Sequence, residues 1–209
     1  MKVTVIGAGN MGSAFVKQLT RAGHQVKVTA RDADKARRLA AANPGSTAVP
    51  TADAANGADV VVLATGFADA VAALNSVGNM QGKVVIDITN PLTADYMGLT
   101  IGHSTSAAEE IARAVPGAEF VKAFNTVFAQ VLAGGAQLGS RKVTVFYASD
   151  SERAKQSART LAESMGFETI DAGGLKNARY LEPLAGLNIY LGYGAGLGTS
   201  IAPTWIGKT

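Results

Sequence analysis

Short apolar runs rich in β-branched residues recur along most of the chain, separated by segments whose apolar positions follow a helical period. Runs of this kind are typical of strands buried on both faces of a parallel sheet. The predicted strands are Lys2–Ile6, Gln25–Thr29, Asp59–Ala64, Lys83–Ile88, Glu119–Phe124, Lys142–Ala148 and Phe167–Asp171, with Thr47–Val49 as a short edge strand. Because strands alternate with helices, we predict an α/β fold with a doubly wound, mostly parallel sheet of about eight strands.

The segments between the strands carry helix start and stop signals. Ser106 and Glu109, for example, fit a capping box. The stretch Leu92–Gly102 is too polar and glycine-rich for regular structure and predicts a loop. The predicted helices run from Gly12 to Arg21, from Asp32 to Ala42, briefly from Thr51, from Phe67 to Leu74, from Ser106 onward, from Thr126 to Ala133, and from Asp150 or Ser151 to about Met165.

The C-terminal segment has a different pattern. Between Asn177 and Gly198, leucine and isoleucine recur at roughly helical spacing, but the same stretch contains five glycines. Each glycine costs a helix about 1 kcal/mol relative to alanine, so a helix here needs a surface packed closely against it. That surface could belong to a partner subunit or to a flat ligand ring. We predict a glycine-rich helical extension, residues 173–209, that packs against a second copy of the chain as a homodimer and helps to form the acceptor pocket; a helix lying over the edge of its own sheet is the alternative.

Composition narrows the class of protein. With 209 residues, 47% hydrophobic and 17% charged, the chain fits one globular domain with an appendage. The absence of cysteine excludes disulfides and cysteine-based metal sites, and we expect no metal. The net charge is +3 and the basic residues are scattered, so we expect no nucleic-acid partner. No apolar run reaches transmembrane length, so we expect a cytoplasmic protein without a membrane partner.

A glycine motif lies between the first strand and the first helix. Gly7-Ala8-Gly9-Asn10-Met11-Gly12 fits G-x-G-x-x-G. In this motif Gly7 allows a tight turn, Gly9 lets the backbone approach a pyrophosphate, and Gly12 lets the helix pack on the strand. A purely structural turn is the alternative, but the flanking strand, helix and second strand favour a dinucleotide site. Residues 1–172 are therefore predicted to form a Rossmann-type NAD(P)-binding domain. Its predicted cofactor contacts here are Gly7, Gly9, Asn10, Met11 and Gly12.

The end of the second strand indicates which dinucleotide is bound. NAD-preferring sites usually place a carboxylate there to bind the ribose hydroxyls, whereas this chain has Thr29-Ala30 followed by Arg31, with Lys35 one helical turn on. An arginine at this point can make a charge-assisted contact with a 2′-phosphate. Asp32 would repel that phosphate unless its side chain caps the following helix. We predict NADP(H), with Ala30, Arg31 and Lys35 at the cofactor.

Familiar catalytic groups are missing from the sequence. There is no Tyr-x-x-x-Lys, and the two histidines, His24 and His103, share no motif, so no catalytic residue is assigned. Hydride transfer needs no side-chain acid when the acceptor ring stabilises the charge. Ligands bind at the carboxyl ends of parallel strands, where amides could hold the nicotinamide carboxamide or a second substrate. The candidate residues at these strand ends are Ala64, Thr65, Gly66, Asn90, Pro91 and Asn125.

Five segments carry a resemblance to a known family. GAGNMG, GHQVKVTARD, VVIDITNP, VKAFNTVFAQ and DAGGLKNARYLEPLAGL resemble the NADPH:deazaflavin (coenzyme F420) oxidoreductases and the cytosolic reductase domain of the six-transmembrane metalloreductases. The similarity runs from Met1 to about Ile201. It implies that Ala30 and Arg31 match the family's 2′-phosphate-binding Ser-Arg pair, with Asp32 in place of a second arginine. It also implies that Asn125 stands where the deazaflavin enzymes have a histidine beside the nicotinamide and deazaflavin.

The residues and the resemblance together favour an NADPH-dependent oxidoreductase that transfers hydride between NADP and a deazaflavin (coenzyme F420) or flavin acceptor. Two alternatives stay open at this point. The same crevice could serve an NADPH-dependent reductase of a small carbonyl or imine. A non-catalytic NADP-binding redox sensor would also account for the motifs. The sequence leaves the identity of the acceptor open.

Overall fold

The computed structural model describes residues 1–206, and the last three residues of the predicted extension, 207–209, lie outside it. The strands are β1 (Lys2–Ile6), β2 (Gln25–Thr29), β3 (Ser46–Ala48), β4 (Val60–Leu63), β5 (Val84–Asp87), β6 (Glu119–Ala123), β7 (Gln137–Leu138), β8 (Arg141–Lys142), β9 (Thr144–Ala148) and β10 (Glu168–Asp171). The α-helices are α1 (Asn10–Arg21), α2 (Ala33–Ala41), α3 (Ala70–Ser76), α4 (Ala107–Ala114), α5 (Ala129–Gly134), α6 (Glu152–Ser164) and α7 (Ala178–Ile189).

Eight of the strands form one sheet in the order β10-β9-β6-β5-β4-β1-β2-β3. Every neighbouring pair is parallel except β6 and β9, which are antiparallel. The predicted doubly wound, mostly parallel sheet of about eight strands is confirmed. Since β2 and β3 lie on one side of β1 and β4 to β6 on the other, the strand order reverses between β1 and β4. Ligand crevices form at such a reversal.

Alternate residues of the central strands enter two separate hydrophobic cores. Val5 and Val62 pack into the core on one face of the sheet, together with α1 and α6, whereas Ile6 and Leu63 pack into the core on the other face. Helices cover both faces, so neither side of these strands meets water. This explains why the strand sequences are continuously apolar rather than alternating.

Several predicted boundaries differ from the structure for local reasons. The predicted strand Lys142–Ala148 is divided, because Arg141–Lys142 pairs with Gln137–Leu138 in a separate hairpin. The short helix predicted at Thr51 is a single 3-10 turn, Thr51–Asp53. A similar turn, Phe67–Asp69, precedes α3. The helix predicted from Thr126 begins only at Ala129.

The C-terminal segment is helical over most of the predicted range. A π-helical turn, Tyr190–Gly194, continues α7, and Gly196 and Gly198 follow it with φ of +75° and +76°, outside the helix. The sequence predicted that these glycines allow close packing against a partner, and this explanation needs correction at Gly192. A Cβ there would lie 2.7 Å from Cζ of Phe128, a residue of the same chain. At this position it is therefore an intramolecular contact, rather than a partner, that requires glycine.

None of the helices in residues 1–206 is long and apolar enough to cross a membrane. Within the same range there is no group of three or more histidine, cysteine, aspartate or glutamate side chains that could hold a metal ion.

Candidate functional site

A cleft of about 530 Å³ opens at the carboxyl ends of β1, β2 and β4, beside the reversal in strand order. This volume falls within the range of small-molecule sites, about 300–1,000 Å³. Most of the residues predicted from the sequence line this one cleft: Gly7, Gly9, Ala30, Arg31, Lys35, Ala64, Thr65 and Gly66.

The first helix begins at the wall of this cleft without a side-chain cap. Gly9 is its N-cap residue, no side chain accepts from its first turn, and that turn contains no acidic residue. A Cβ built on Gly9 would meet nothing within 4 Å, so the space beside this helix end is open. Free backbone N–H groups and the positive end of the helix dipole can together bind an anionic group such as a phosphate.

The two other glycines of the motif are required by the protein's own packing. Gly7 has φ of +116°, and a Cβ there would lie 2.3 Å from the carbonyl oxygen of Ala64. At Gly12 a Cβ would lie 1.9 Å from the carbonyl oxygen of Gly7. The turn and the first turn of α1 can therefore lie this close to β4 only when both positions lack a side chain.

Charged side chains collect at the other end of the cleft. Arg31, highly exposed, forms an ion pair with Asp69, its Nη2 lying 3.3 Å from the carboxylate. Of the two roles that the sequence left open for Asp32, the structure shows the cap of α2, because its carboxylate accepts from the backbone N–H groups of Asp34 at 3.0 Å and Lys35 at 3.1 Å. The hydrogen bond from the Lys35 backbone is the main reason why the pKa of Asp32 lies below its usual value.

A pair of asparagine amides lies further along the same edge, after β5 and β6. Asn90 Nδ2 donates to the carbonyl oxygen of Asn125 at 3.0 Å. In return Asn125 Nδ2 donates to Asn90 Oδ1 at 3.0 Å and to the carbonyl oxygen of Leu181 at 2.9 Å. A backbone carbonyl can only accept a hydrogen bond, so the amide atom that faces it must be the nitrogen. The carbonyl of Asn125 fixes the orientation of the Asn90 amide in this way, and the carbonyl of Leu181 fixes that of Asn125. The remaining oxygen, Asn125 Oδ1, is buried and has no hydrogen-bond partner among the described residues.

The backbone turns sharply just before this pair. Phe124 has φ of +61°, a conformation that is unfavourable for a bulky residue, and its side chain is completely buried. Edge-to-face contacts with Phe15 and Phe167, at ring-centroid distances of 5.0 and 6.1 Å, hold the ring. Strained backbone of this kind persists only where packing imposes it, and it is frequent at functional sites.

Six predicted site residues do not line the main cleft: Gly12 packs against the turn at Gly7, Asn90 and Asn125 form the amide pair described above, and Asn10, Met11 and Pro91 lie elsewhere. Asn10 lines a neighbouring groove of about 420 Å³ together with Lys17 and Phe128. Met11 packs against the hydrophobic core. Pro91 is buried, and its carbonyl oxygen accepts from the backbone of Thr100 at 2.7 Å. The structure therefore brings the other candidates together in the main cleft but not these six.

A cluster of buried ions, which was not predicted from the sequence, lies beside the asparagine pair. Lys122 Nζ lies 2.8 Å from Asp87 Oδ2 and 2.8 Å from Glu182 Oε1, and all three side chains are at most 1% exposed. We call Asp87, Lys122 and Glu182 the buried ion cluster. A signal for it was present, since Asp87 ends the apolar strand β5, Lys122 is the last residue but one of β6, and the two face each other in the β5–β6 register. Asp69, from the turn after β4, was also missed.

A family model, a characterised relative and a solved structure are all similar to this chain. The family model described as "NADP oxidoreductase coenzyme F420-dependent" matches residues 2–91. The F420-dependent NADP reductase of Methanothermobacter marburgensis is 34% identical over 208 residues, which cover 91% of this chain and 92% of that protein. A crystal structure of a candidate F420-dependent NADP reductase from Arthrobacter sp. FB24 matches with a TM-score of 0.86 at 30% identity, covering 96% of both chains.

A second kind of relative is much longer than this chain. Metalloreductase STEAP3 of Rattus norvegicus is 29% identical over 184 residues, which cover 88% of this chain but only 36% of the metalloreductase. The chain therefore spans about a third of that relative.

Proposed function

This chain belongs to the family of coenzyme F420-dependent NADP oxidoreductases and is an NADP-dependent oxidoreductase; on that premise we propose that it transfers hydride between NADP and a deazaflavin or flavin ring. The observation that carries the proposal is the cleft at the β1–β4 reversal, with an uncapped helix end at Gly9 and an arginine at the end of β2. NADPH bound in this cleft would supply a hydride, which the acceptor ring would take up together with one proton from solvent.

The fit of the dinucleotide rests on the shape of the glycine turn. We assign the pyrophosphate to the N–H groups at the start of α1, where the space at Gly9 is open. Gly66, on the opposite wall, also has nothing within 4 Å of a Cβ position, so backbone lines both sides. We assign the 2′-phosphate to Arg31 and Lys35, whose charges complement it.

We assign the nicotinamide carboxamide to Asn125. A buried oxygen without a donor costs about 1–3 kcal/mol, so Asn125 Oδ1 gains if a ligand N–H group reaches it. Asn90 holds the amide in place from the neighbouring strand. Asn90 and Asn125 then bind and orient the reacting half of the dinucleotide and do not exchange protons with it.

The ionisable groups beside the asparagine pair favour an acceptor that stabilises its own charge. Asp87 and Lys122 are fully buried and are bonded to each other, so neither is free to protonate a substrate. His103 is exposed, on the loop before α4. A carbonyl or imine needs a positioned acid, whereas a deazaflavin or flavin ring delocalises the added electrons itself.

The test measures NADPH oxidation by the purified protein against coenzyme F420, FAD, FMN, quinones and a panel of imines. We expect turnover with F420 or a flavin and none with the imines. Gly9→Val protein serves as the control for non-enzymatic oxidation. Turnover confined to the imines would identify a carbonyl or imine reductase instead. NADPH binding without turnover on any acceptor would identify a redox sensor.

A further inference from the structure

The buried ion cluster leaves no group free for chemistry. An ammonium has three N–H donors. Those of Lys122 have three acceptors: Asp87 Oδ2 and Glu182 Oε1, each at 2.8 Å, and the carbonyl oxygen of Thr89 at 2.6 Å. The other oxygen of Asp87 accepts from the N–H of Thr89 at 2.8 Å. Such a closed set of contacts can hold its neighbours in place but cannot exchange a proton with a ligand.

The cluster joins four elements of the fold. Asp87 ends β5, Lys122 lies in β6 and Glu182 lies in α7. Glu182 also accepts from the N–H groups of Ala107 at 2.9 Å and Ala108 at 3.1 Å, which are the first two residues of α4. The second carboxylate of the cluster is therefore stabilised by a helix N-terminus as well as by Lys122.

On the β5 side, the cluster immobilises the residue that precedes Asn90. Both backbone groups of Thr89 are held, its N–H by Asp87 and its carbonyl by Lys122. Asn90 follows directly, and its amide exchanges two hydrogen bonds with Asn125. A change in the cluster would move Asn90 relative to Asn125.

On the α7 side, the cluster immobilises the residue that follows Leu181. The carbonyl of Leu181 is the second acceptor of Asn125 Nδ2, at 2.9 Å, and Glu182 is the next residue in the chain. Two oxygens orient the amide of Asn125, one from Asn90 and one from Leu181. Each of these residues is therefore next in the chain to a residue that the buried ion cluster holds or contains.

We propose that the buried ion cluster positions the amide of Asn125, and that Glu182 and Asp87 are positioning residues for the nicotinamide side of the cleft. The cluster holds Asn90 and Leu181 so that both bind the nitrogen of this amide, and the oxygen of Asn125 remains available to a ligand. The inference rests on the proposed function only for the identity of that ligand.

The direct test is NMR of side-chain amides in the ligand-free protein. The Nδ2H₂ resonance pair of Asn125 is assigned as the pair missing from Asn125→Ala. We expect this pair to shift and to exchange faster with solvent in Glu182→Gln, because Lys122 and α4 lose a charged acceptor. Asp87→Asn is measured in parallel, so that a folding failure of one variant leaves the other to decide. Glu109→Gln is the matched control, because Glu109 also links α4 to α7, through Arg179, without touching the cluster.

The functional test compares the affinity for NADP⁺ with that for adenosine 2′,5′-bisphosphate, which lacks the nicotinamide half. Asn125→Ala should weaken NADP⁺ by about tenfold, the loss of roughly one hydrogen bond, and leave the bisphosphate unchanged. Glu182→Gln should weaken NADP⁺ in the same selective way. The double variant should bind NADP⁺ no more weakly than Asn125→Ala alone, because both changes act through one amide.

The outcomes separate the two proposals. An Asn125 amide pair that stays unchanged in both folded cluster variants, or that moves equally in Glu109→Gln, overturns the positioning role. Additive losses of NADP⁺ affinity in the double variant also overturn it. If Asn125→Ala leaves NADP⁺ affinity unchanged, the assignment of the nicotinamide is wrong, and the positioning role is decided by the amide resonances alone.

Discussion

At the scale of single residues, the guanidinium group of Arg31 pairs with the carboxylate of Asp69. Its ion pair with Asp69 is exposed on both sides, with 89% and 51% of the two side chains accessible. Exposed pairs are weak, so the phosphate of a dinucleotide can displace Asp69 at little cost. The position of Arg31 on the wall of the cleft agrees with its proposed role at the 2′-phosphate.

We expect Arg31→Ala to raise the KM for NADPH about ten- to hundredfold and to leave the KM for NADH nearly unchanged, because a charge-assisted contact to the 2′-phosphate is lost. Steady-state kinetics with both nucleotides measures this. Asp69→Asn is the control, since it removes only the competing carboxylate and should lower the KM for NADPH slightly. Equal KM values for NADPH and NADH in the unaltered protein would contradict the role of Arg31.

The glycines of the first turn allow a second prediction, which separates binding from folding. Gly9→Val should abolish binding of NADPH and NADH while the protein still folds, because the new side chain enters open space at the start of α1. Gly12→Val should prevent folding, since its Cβ would lie 1.9 Å from the carbonyl oxygen of Gly7. Circular dichroism and nucleotide titration together distinguish the two. Unchanged affinity in Gly9→Val would remove the basis for the dinucleotide site.

At the scale of elements, α4 is tied to α7 by one ion pair besides the buried ion cluster. Arg179 of α7 donates to both oxygens of Glu109, at 2.9 and 2.7 Å. The hydrogen bond from Arg179 is the main reason why the pKa of Glu109 lies below its usual 4.5. The ionised carboxylate therefore stabilises the fold above this value, and the contribution is lost as the pH falls through the lowered pKa.

We expect Glu109→Gln to unfold at a lower urea concentration than the unaltered protein at pH 7. The difference should shrink as the pH falls below about 4.5 and vanish once the carboxylate of the unaltered protein is protonated. Urea titrations at a series of pH values measure it. A difference that persists unchanged in acid would mean that the pair acts through packing rather than charge.

At the scale of the whole molecule, large apolar side chains are exposed together on α7 and the segment after it. Within residues 1–206 they include Tyr180, Leu187, Tyr193, Leu197 and Trp205, each more than half exposed. Leu181, one of the leucines that recur along this segment, is instead buried against Phe146 of its own chain. Large apolar side chains exposed in such numbers on one segment are typical of an interface. We propose that residues 173–209 form an extension that pairs with a second copy of the chain.

Light scattering tests the proposed dimer. We expect a dimer at micromolar concentration and a monomer in Leu187→Glu, because the charge would be buried without a partner at the interface. On this proposal the extension also helps to enclose the acceptor, so the monomer should bind NADPH normally and reduce the acceptor poorly. Ala41→Glu, an exposed change on α2, is the control and should remain dimeric. A fully active monomer of the unaltered protein would contradict the proposal.

The sequence by itself determined the features that depend on neighbouring residues. Apolar runs predicted the strands, because burial on both faces requires them. The motif around Gly7 predicted the turn that leads into α1. Ser106 was predicted as a cap, and capping was one of the two roles open to Asp32, because a cap bonds to backbone only two or three residues away. The resemblance of the quoted segments to the F420-dependent oxidoreductases was confirmed by the comparisons.

Only the tertiary structure decided which distant residues meet. Asn90 pairs with Asn125, Lys122 with Glu182 and Arg31 with Asp69, and no local periodicity distinguishes these partners from other polar residues in the chain. The antiparallel entry of β9 beside β6 is likewise a matter of which elements lie side by side. Local sequence patterns record whether a residue is buried and how its backbone turns. The packing of whole elements determines which distant residues form hydrogen bonds and ion pairs, because only that packing brings their side chains within reach of each other.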